Sequence, residues 1–348
     1  SKQCGLSDID ELLLDLSIMR LLFPASKLKT ISMLSEYFGI DYSQRIYRQI
    51  PKLIQFKTKL QERAYQLAIK KFSEQFYFVL YDVTTLYFET FKSDELRIPG
   101  FSKDNKPNQP QVVIGMLVTQ SGFPISYEVF PGNTFEGKTM LPILEEFISG
   151  HKNTKPVVVA DSAMLSEERL DELKEKKISY IVGARLANSN LELIRKIHND
   201  LNGIEGAIVR ISSTTNGDLV CDFSTKRYKK QLNDLNKQIK KAEDCVAKKE
   251  SWRSTKFVKR LSKEQLELNN ALIEKHKLLL GIKGYCTDIP ESELSNQDVI
   301  ARYHNLWRIE QSFRMSKSDL QTRPIFHHKE DAIRSHILIP DLSLGNFI

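Results

Sequence analysis

The chain has 348 residues, 41% hydrophobic and 27% charged, which suits a globular protein of two or three domains and excludes a disordered one. No run of about 18 apolar residues occurs, which excludes a membrane-spanning helix. The formal net charge of +7 favours a polyanionic partner, whereas four scattered cysteines without a Cys-x-x-Cys pair argue against a zinc site or disulfide scaffold and fit a reducing cytoplasm.

The first 75 residues are predicted to form a helical region. Apolar residues recur at helical spacing between Leu12 and Phe38, and Gly39 stands where a helix would end. The stretch 41–59 then interleaves the cations of Arg45, Arg48, Lys52, Lys57 and Lys59 with aromatic residues. Cations and aromatic rings can meet phosphates and bases, so this stretch is a candidate DNA-binding region, with a solvated helix face as the alternative.

The pattern changes to that of β-strands after residue 75. The run Phe76–Tyr81 is aromatic and β-branched, is typical of a strand buried on both faces, and ends on Asp82. Residues 112–118 and 125–130 predict two more strands, joined by a turn at Ser121–Gly122. The three strands are expected to form an antiparallel meander.

Helices and strands then alternate up to residue 202. Residues 137–150 predict a helix, Val157–Ala160 predict a short strand that ends on Asp161, and Ser166 is the expected cap of a charged helix. Residues 178–182 predict a further strand. Residues 76–202 are therefore predicted to form an α/β domain whose mixed sheet is flanked by helices.

Residues 203–290 interrupt this pattern as a predicted insertion. Residues 208–223 favour a β-hairpin around Asn216–Gly217, and apolar residues from Tyr228 to Val246 follow a coiled-coil spacing. A second helix, from about residue 257 to 280, is predicted to fold back on the first as a helical hairpin. Between Lys226 and Lys277 there are about 16 basic and about 7 acidic residues. This basic arm is predicted either to bind DNA phosphates or to pair protomers.

Two acidic residues after predicted strands are candidate catalytic groups. Transfer of a phosphodiester needs charge neutralisation and an activated oxygen nucleophile, which two Mg²⁺ ions about 3.5–4 Å apart can supply from carboxylate ligands. Asp82 and Asp161 each follow a predicted buried strand, and strand ends of an α/β sheet are where such sites gather. A plain turn or helix cap is the alternative for each.

The third candidate acid, Glu310, lies in the last part of the chain, residues 291–348, where Asn296–Leu320 predict one long helix. Several neighbours of Glu310 approximate one side of that helix, which would flank a metal ligand with phosphate-binding cations and aromatic rings. A surface Glu310–Arg314 ion pair is the alternative. The candidate DNA-binding residues are Tyr303, Trp307, Arg308, Arg314 and Lys317.

Several motifs in chain order resemble the DDE transposases of bacterial insertion sequences, of the insertion-sequence family four type. They are Tyr81–Thr85, Phe101–Asp104 with Gln111–Gly115, Phe130–Thr134, Val159–Asp161, Tyr303–Lys317 and Arg323–His327. Tyr303, Glu310 and Lys317 hold the spacing of that group's Y-x2-R-x3-E-x6-K signature. Leu306 stands at its Arg position, with Arg308 two residues later.

This resemblance implies an RNase H-like catalytic core in which Asp82, Asp161 and Glu310 bind two Mg²⁺ ions, or Mn²⁺ in their place. It implies metal-dependent cleavage of double-stranded DNA at the terminal inverted repeats of the element, followed by strand transfer into target DNA. A homodimer on DNA, in the bacterial cytoplasm at the nucleoid and without a membrane partner, is the expected working form.

Two alternatives share parts of this prediction. A structure-selective RNase H-like nuclease would use the same triad but cut without reference to element ends. A truncated, inactive DNA-binding relic would bind those ends without metal dependence. Pro340 and Gly345 interrupt an expected apolar helix, and the chain starts at Ser1 without methionine or an apolar leader, so a fragment or altered copy is expected.

Overall fold

The computed structural model describes residues 10–42, 46–72, 78–102, 106–151, 154, 156–162, 166–214, 216–248, 255–261 and 265–347. Arg45, Phe76, Tyr77, Lys103 and Asp104, which carried predictions above, lie outside these ranges. The chain forms two compact units: Ser1–Ile178 together with His304–Ile348, and Ser179–Tyr303. Among the described residues, no helix is long and apolar enough to cross a membrane.

The N-terminal region is helical, as predicted. Its elements are α1 (Glu11–Leu22), α2 (Lys27–Phe38), α3 (Ile46–Gln49), a 3₁₀ helix (Ile50–Phe56) and α4 (Lys57–Phe72). α1 and α2 begin after Asp10 and Ser26, whose side-chain oxygens accept hydrogen bonds from backbone N–H groups of the first turn. α2 ends at Gly39, whose left-handed conformation closes the helix.

Four strands of the first unit lie in the order β3-β2-β1-β4. They are β1 (Phe78–Tyr87), β2 (Gln111–Thr119), β3 (Pro124–Pro131) and β4 (Val157–Ala160). β1, β2 and β3 form the predicted antiparallel meander, and β1 pairs with β4 in parallel, which makes the sheet mixed. The predicted end of the first strand at Asp82 is wrong, because strand-forming residues continue and the pairing with β2 runs on to Tyr87.

Helices cover this sheet, and every residue of β2 is buried. α5 (Met140–Gly150) packs against β2 and β3, and α6 (Glu167–Glu175) begins after Ser166, whose hydroxyl caps it as predicted. These observations confirm the predicted α/β class with a mixed sheet flanked by helices. The division of the chain into four domains stays a prediction.

The second unit has its own strands, in the order β5-β10-β7-β6, with antiparallel pairing between the neighbours. Its elements are β5 (Tyr180–Gly183), α7 (Leu191–Leu201), β6 (Ile208–Thr214), β7 (Gly217–Phe223), α8 (Thr225–Lys248), β8 (Val258–Arg260), β9 (Leu266–Leu268), α9 (Asn270–Leu278), β10 (Ile282–Thr287) and α10 (Asn296–His304). β6 and β7 confirm the predicted hairpin. Its three described cysteines, Cys221, Cys245 and Cys286, are buried thiols that form no disulfide bond.

The predicted helical-hairpin arm is wrong in its second half. α8 confirms the first helix, but residues 257–280 form the small antiparallel pair β8–β9 and the short helix α9. Leu266 and Leu268 alternate with a polar residue, which favours a strand. The side chain of Asn269 then accepts a hydrogen bond from the N–H of Leu272 and begins α9 at that point.

The first unit resumes with α11 (Trp307–Arg314), a π-helical turn (Met315–Asp319) and α12 (Glu330–Phe347). The single long helix predicted over residues 296–320 is therefore wrong. The chain turns at Asn305, whose side chain donates to Oε1 of Gln120 at 2.7 Å. α12 runs past Pro340, so the predicted interruption there is also wrong: the ring removes one backbone donor, and buried residues such as Ile333 and Leu338 anchor the helix.

Candidate active site

Asp82 and Asp161 follow equivalent positions of two parallel strands. Tyr81 of β1 is in register with Ala160 of β4, so the next residue on each chain segment is one of the two aspartates. Adjacent strands lie about 4.8 Å apart, and side chains in register point to the same face of the sheet. Asp82 and the first residue beyond β4, Asp161, are therefore neighbours on one face.

The face that carries Asp82 is covered by α11. Thr84 and Leu86, two and four residues after Asp82, line a cavity together with Phe313 of α11 and Lys317 of the π-helical turn. Because side chains of a strand alternate between its faces, Asp82 points to the same side as Thr84 and Leu86. The carboxylate of Asp82 and the helix α11 thus share one face of the sheet.

The opposite face of the sheet holds the packing that supports the site. Tyr81, directly before Asp82, is fully buried, and its hydroxyl donates to Oγ1 of Thr139 at 2.7 Å. Gly115 of β2 lies against this ring and against Ile143 of α5. Burial raises the pKa of the Tyr81 hydroxyl, so this side chain is a neutral donor.

The position of Glu310 follows from the way α11 is anchored. Nη1 of Arg308 donates to the carbonyl of Ser121, and Oγ of Ser312 donates to the carbonyl of Gly122, both at 3.2 Å. These bonds fix one flank of α11 on the turn between β2 and β3. At 100° per residue, Glu310 lies about 160° round the helix from both anchors. It therefore lies on the flank of α11 opposite these anchors, where its side chain is exposed.

The donor chemistry suits a hard divalent cation. Oδ1 of Asp82 accepts from the N–H of Val83, and Oδ1 of Asp161 accepts from the N–H of Ser162, both at 2.7 Å, so local backbone bonds orient each carboxylate. Asp82 is partly buried, whereas Asp161 and Glu310 are exposed. Within the described part of the chain, no three acidic, histidine or cysteine side chains lie close enough together to hold one metal ion. The strand register makes the two aspartates neighbours, whereas Glu310, on α11, is not gathered with them into one metal-binding cluster.

The candidate DNA-binding residues have different surroundings. Tyr303 is buried in the second unit, where its ring lies 4.9 Å from that of Tyr285 and below the ammonium group of Lys283. Trp307 is 52% exposed, and the guanidinium of Arg308 lies 5.0 Å from its ring centre. Arg314 is exposed, whereas Lys317 is partly buried.

Sequence reasoning missed the residues that position α11. Ser121–Gly122 was recognised only as a turn, and Ser312 was not identified at all. Gly122 has a φ of +94°, and a Cβ on it would lie 3.3 Å from Cβ of Arg308, so the helix approaches this glycine closely. No sequence pattern connects a turn to a serine about 190 residues later, so the hydrogen bond of Ser312 to Gly122 could not be predicted from the sequence.

Comparisons with known proteins give a family match and structural matches. Residues 75–339 match the protein family described as "Transposase DDE domain". A cryo-EM structure of the piggyBac transposase synaptic complex with hairpin DNA is similar at 11% identity and a TM-score of 0.48, covering 97% of this chain and 65% of that one. The Mos1 transposase paired-end complex with left transposon end gives 14% identity and a TM-score of 0.22, with 52% and 56% covered. This chain thus spans less than two thirds of the piggyBac chain. A search of curated proteins finds no match.

Proposed function

Because this chain belongs to the transposase DDE domain family, we propose that it cuts DNA at the ends of a mobile element and transfers the cut strand into target DNA. We assign it to the bacterial insertion-sequence transposases with a Y-R-E-K signature and an RNase H-like core. The observation that carries this proposal is the register of Asp82 and Asp161 on the face covered by α11.

Asp82, Asp161 and Glu310 are the residues that we assign to hold divalent cations, with Mg²⁺ as the expected ion. When bound, such ions activate a water molecule and neutralise charge on the scissile phosphate. The protein contributes rigid placement: backbone N–H groups orient the two aspartates, and the bonds of Arg308 and Ser312 to the β2–β3 turn set the position of Glu310.

The cations on the same helix are suited to hold the DNA backbone beside the cut. Arg314 lies one turn after Glu310 and is exposed, and Lys317 follows in the π-helical turn. Trp307 offers a half-exposed ring for stacking on a displaced base. We assign stacking to Trp307 rather than Tyr303, because the Tyr303 ring is buried against Tyr285.

Double-stranded DNA, both element ends and target, is the proposed partner, bound by a homodimer at the bacterial nucleoid. The N-terminal stretch 41–59 is proposed to contribute to DNA binding through Tyr47, which is 46% exposed, and its neighbouring cations. Lys57 is removed from that set, because its ammonium group pairs with Glu128 of β3. A stand-alone nuclease and an inactive DNA-binding relic remain as outcomes of the test below.

The test compares Asp82→Asn with the unaltered chain in cleavage of DNA that carries the inverted repeats of the encoding element. We expect Mg²⁺-dependent cleavage at the repeats to fall by at least about a hundredfold in the variant, while binding to the same DNA is retained. Asp171→Asn is the matched control, because Asp171 is an exposed aspartate of α6.

Each result distinguishes the candidate functions. If the unaltered chain cleaves DNA only at the element ends, transposition is supported. If it cleaves DNA without regard to those ends, the protein is a nuclease. Binding without any metal-dependent cleavage identifies a relic. Undiminished cleavage by Asp82→Asn contradicts the assignment of the triad.

A further inference from the structure

A second candidate site lies in the first unit, away from the three acids. It is a cavity of about 320 Å³ between α1, α2, the segment 321–327 and α12. Its floor carries a group of basic side chains, Arg20, Lys27, Arg323, His327 and His336. Among its described lining residues there is no aspartate or glutamate.

The floor of this cavity is held in place by hydrogen bonds. Nη1 of Arg20 donates to the carbonyls of Leu320 and Gln321, both at 3.3 Å. The ring of His336 contacts the carbonyl of Thr322 through Nε2 at 2.8 Å, so Nε2 carries the proton. Nδ1 of His336 is then an acceptor, and the ammonium group of Lys27 donates to it.

The basic side chains of the cavity floor favour the binding of an anion. Arg20 is 6% exposed and Lys27 is 7% exposed, and a buried cation is costly unless a negative charge accompanies it. Burial and the nearby guanidinium of Arg20 lower the pKa of Lys27 well below its usual value. Burial and the ammonium of Lys27 lower the pKa of His327 to about 4. With no carboxylate among the described lining residues, these two groups lose their protons more readily than usual, and an anion in the cavity would favour their protonated forms.

The mouth of the cavity is apolar and aromatic. Tyr47 is 46% exposed and Phe326 is 68% exposed, and both line the opening. Ser26 and Lys27, at the start of the twelve-residue helix α2, also line it, so the positive end of the helix dipole adds to the basic floor. Exposed aromatic rings above buried cations match the two parts of a nucleotide, since bases stack on rings and phosphates bind cations.

We propose that this cavity binds one unpaired nucleotide of a DNA strand, with its phosphate on Arg20, Lys27 and Arg323 and its base against Tyr47 or Phe326. The volume is at the lower end of the range for small-molecule sites and suits one nucleotide. This inference rests on the proposed function for the identity of the polymer, but it concerns residues that take no part in the acidic triad.

The cavity lies at the far end of the strand that carries Asp82. Phe88, next after β1, forms a bridge with Ile325, which follows Arg323 by two residues. Six residues of extended chain separate Asp82 from Phe88, a distance of about 20 Å. A strand cut at the acidic site would therefore reach this cavity several nucleotides from the cut.

The test measures binding of three probes to the full chain by calorimetry: inorganic phosphate, thymidine 5′-monophosphate and a single-stranded thymidine tetranucleotide. We expect the tetranucleotide to bind more tightly than the mononucleotide, and phosphate to bind most weakly. Arg323→Gln should weaken tetranucleotide binding about tenfold or more, because one charge-assisted hydrogen bond is lost. Phe326→Ala should weaken the two nucleotide probes but not phosphate.

Lys29→Gln is the matched control, because Lys29 lies on the exposed side of α2 and does not line the cavity. The Lys29→Gln variant should bind all three probes as tightly as the unaltered chain does. Asp82→Asn should also leave these affinities unchanged, and this result would separate the cavity from the proposed catalytic site. Three results would each overturn the proposal. They are equal affinity for phosphate and the mononucleotide, tighter binding of the mononucleotide than of the tetranucleotide, and unchanged tetranucleotide binding by an Arg323→Gln variant that has a normal melting curve.

Discussion

Gly115 and Tyr81 determine how closely the elements behind the two aspartates can pack. Tyr81 precedes Asp82, and Gly115 pairs across β1–β2 with Val83. A Cβ on Gly115 would lie 2.5 Å from Oη of Tyr81 and 2.6 Å from Cδ1 of Ile143. These distances are shorter than normal contacts, so the absence of a side chain at residue 115 is what lets the tyrosine hydroxyl reach Thr139.

We expect Gly115→Ala to lower the free energy of unfolding by about 1–3 kcal/mol, because the added methyl group overpacks the core. Tyr81→Phe alone should cost about 1 kcal/mol, since the buried bond to Thr139 is lost. The double variant should recover part of the sum, because removing the hydroxyl makes room for the methyl group. Urea unfolding of the four proteins measures the coupling. Strictly additive losses would show that the two residues do not compete for space.

At the scale of elements, Glu128 of β3 links α4 and α12. Its carboxylate pairs with Lys57 of α4 and, at 2.6 Å, with Nη1 of Arg334 of α12. Burial acts to raise the pKa of Glu128, but the charges of Lys57 and Arg334 outweigh it and the pKa is lowered. Glu128 therefore bridges cations on two separate helices, and Glu146 and Glu330 are second, more exposed partners of these cations.

Glu128→Gln should lower the free energy of unfolding by about 2 kcal/mol at pH 7, because two partly buried cations lose the more buried of their carboxylate partners. Because the pKa of Glu128 is lower in the folded chain than in the unfolded chain, its ionised carboxylate stabilises the fold at pH values above the unfolded-state pKa. This stabilisation is lost as the pH falls through the folded-state pKa of Glu128. The difference between variant and unaltered chain should thus shrink in acid. Unfolding curves at pH 7 and pH 4 measure it. Glu330→Gln, at an exposed partner of Arg334, is the control and should cost under about 0.5 kcal/mol.

The elements also show what the sequence could and could not reveal. The meander, the helix capped by Ser166 and the β6–β7 hairpin were predicted correctly, because strand alternation, caps and turn residues are local signals. The break between α10 and α11 was missed, because it depends on the contact of Asn305 with Gln120, far away in the sequence. The same limit applies to the candidate site: the aspartates were recognisable beside their strands, but their register depends on the pairing of β1 with β4.

At the scale of the whole molecule, the surplus of positive charge belongs mainly to α8. Its apolar residues, including Leu235 and Ala242, pack against Phe257, Ile273 and Leu280 of the same chain. The apolar residues of α8 are therefore buried within the second unit. Pairing of protomers is not needed to explain their coiled-coil spacing. Lysines on the other side of the helix are exposed, and we propose that they contact DNA phosphates.

Replacing Lys229, Lys237 and Lys240 of α8 by Gln should weaken DNA binding and reduce its salt dependence. Each phosphate contact that is lost should lower the slope of log affinity against log salt by about 0.9. Titrations at several salt concentrations measure this slope. Lys174→Gln, at an exposed lysine of α6, is the control and should leave it unchanged. A triple variant with the original slope would exclude DNA contact by these lysines.

The discontinuity of the first unit affects how the protein emerges from a ribosome. The second unit is one uninterrupted stretch, Ser179–Tyr303, whereas the first needs its last helices: α12 packs against α1, the 3₁₀ helix and β3. Domains generally fold as units during synthesis. A nascent chain would therefore hold both aspartates while the second unit is made, but would lack Glu310, the proposed third metal ligand, until the first unit can be completed.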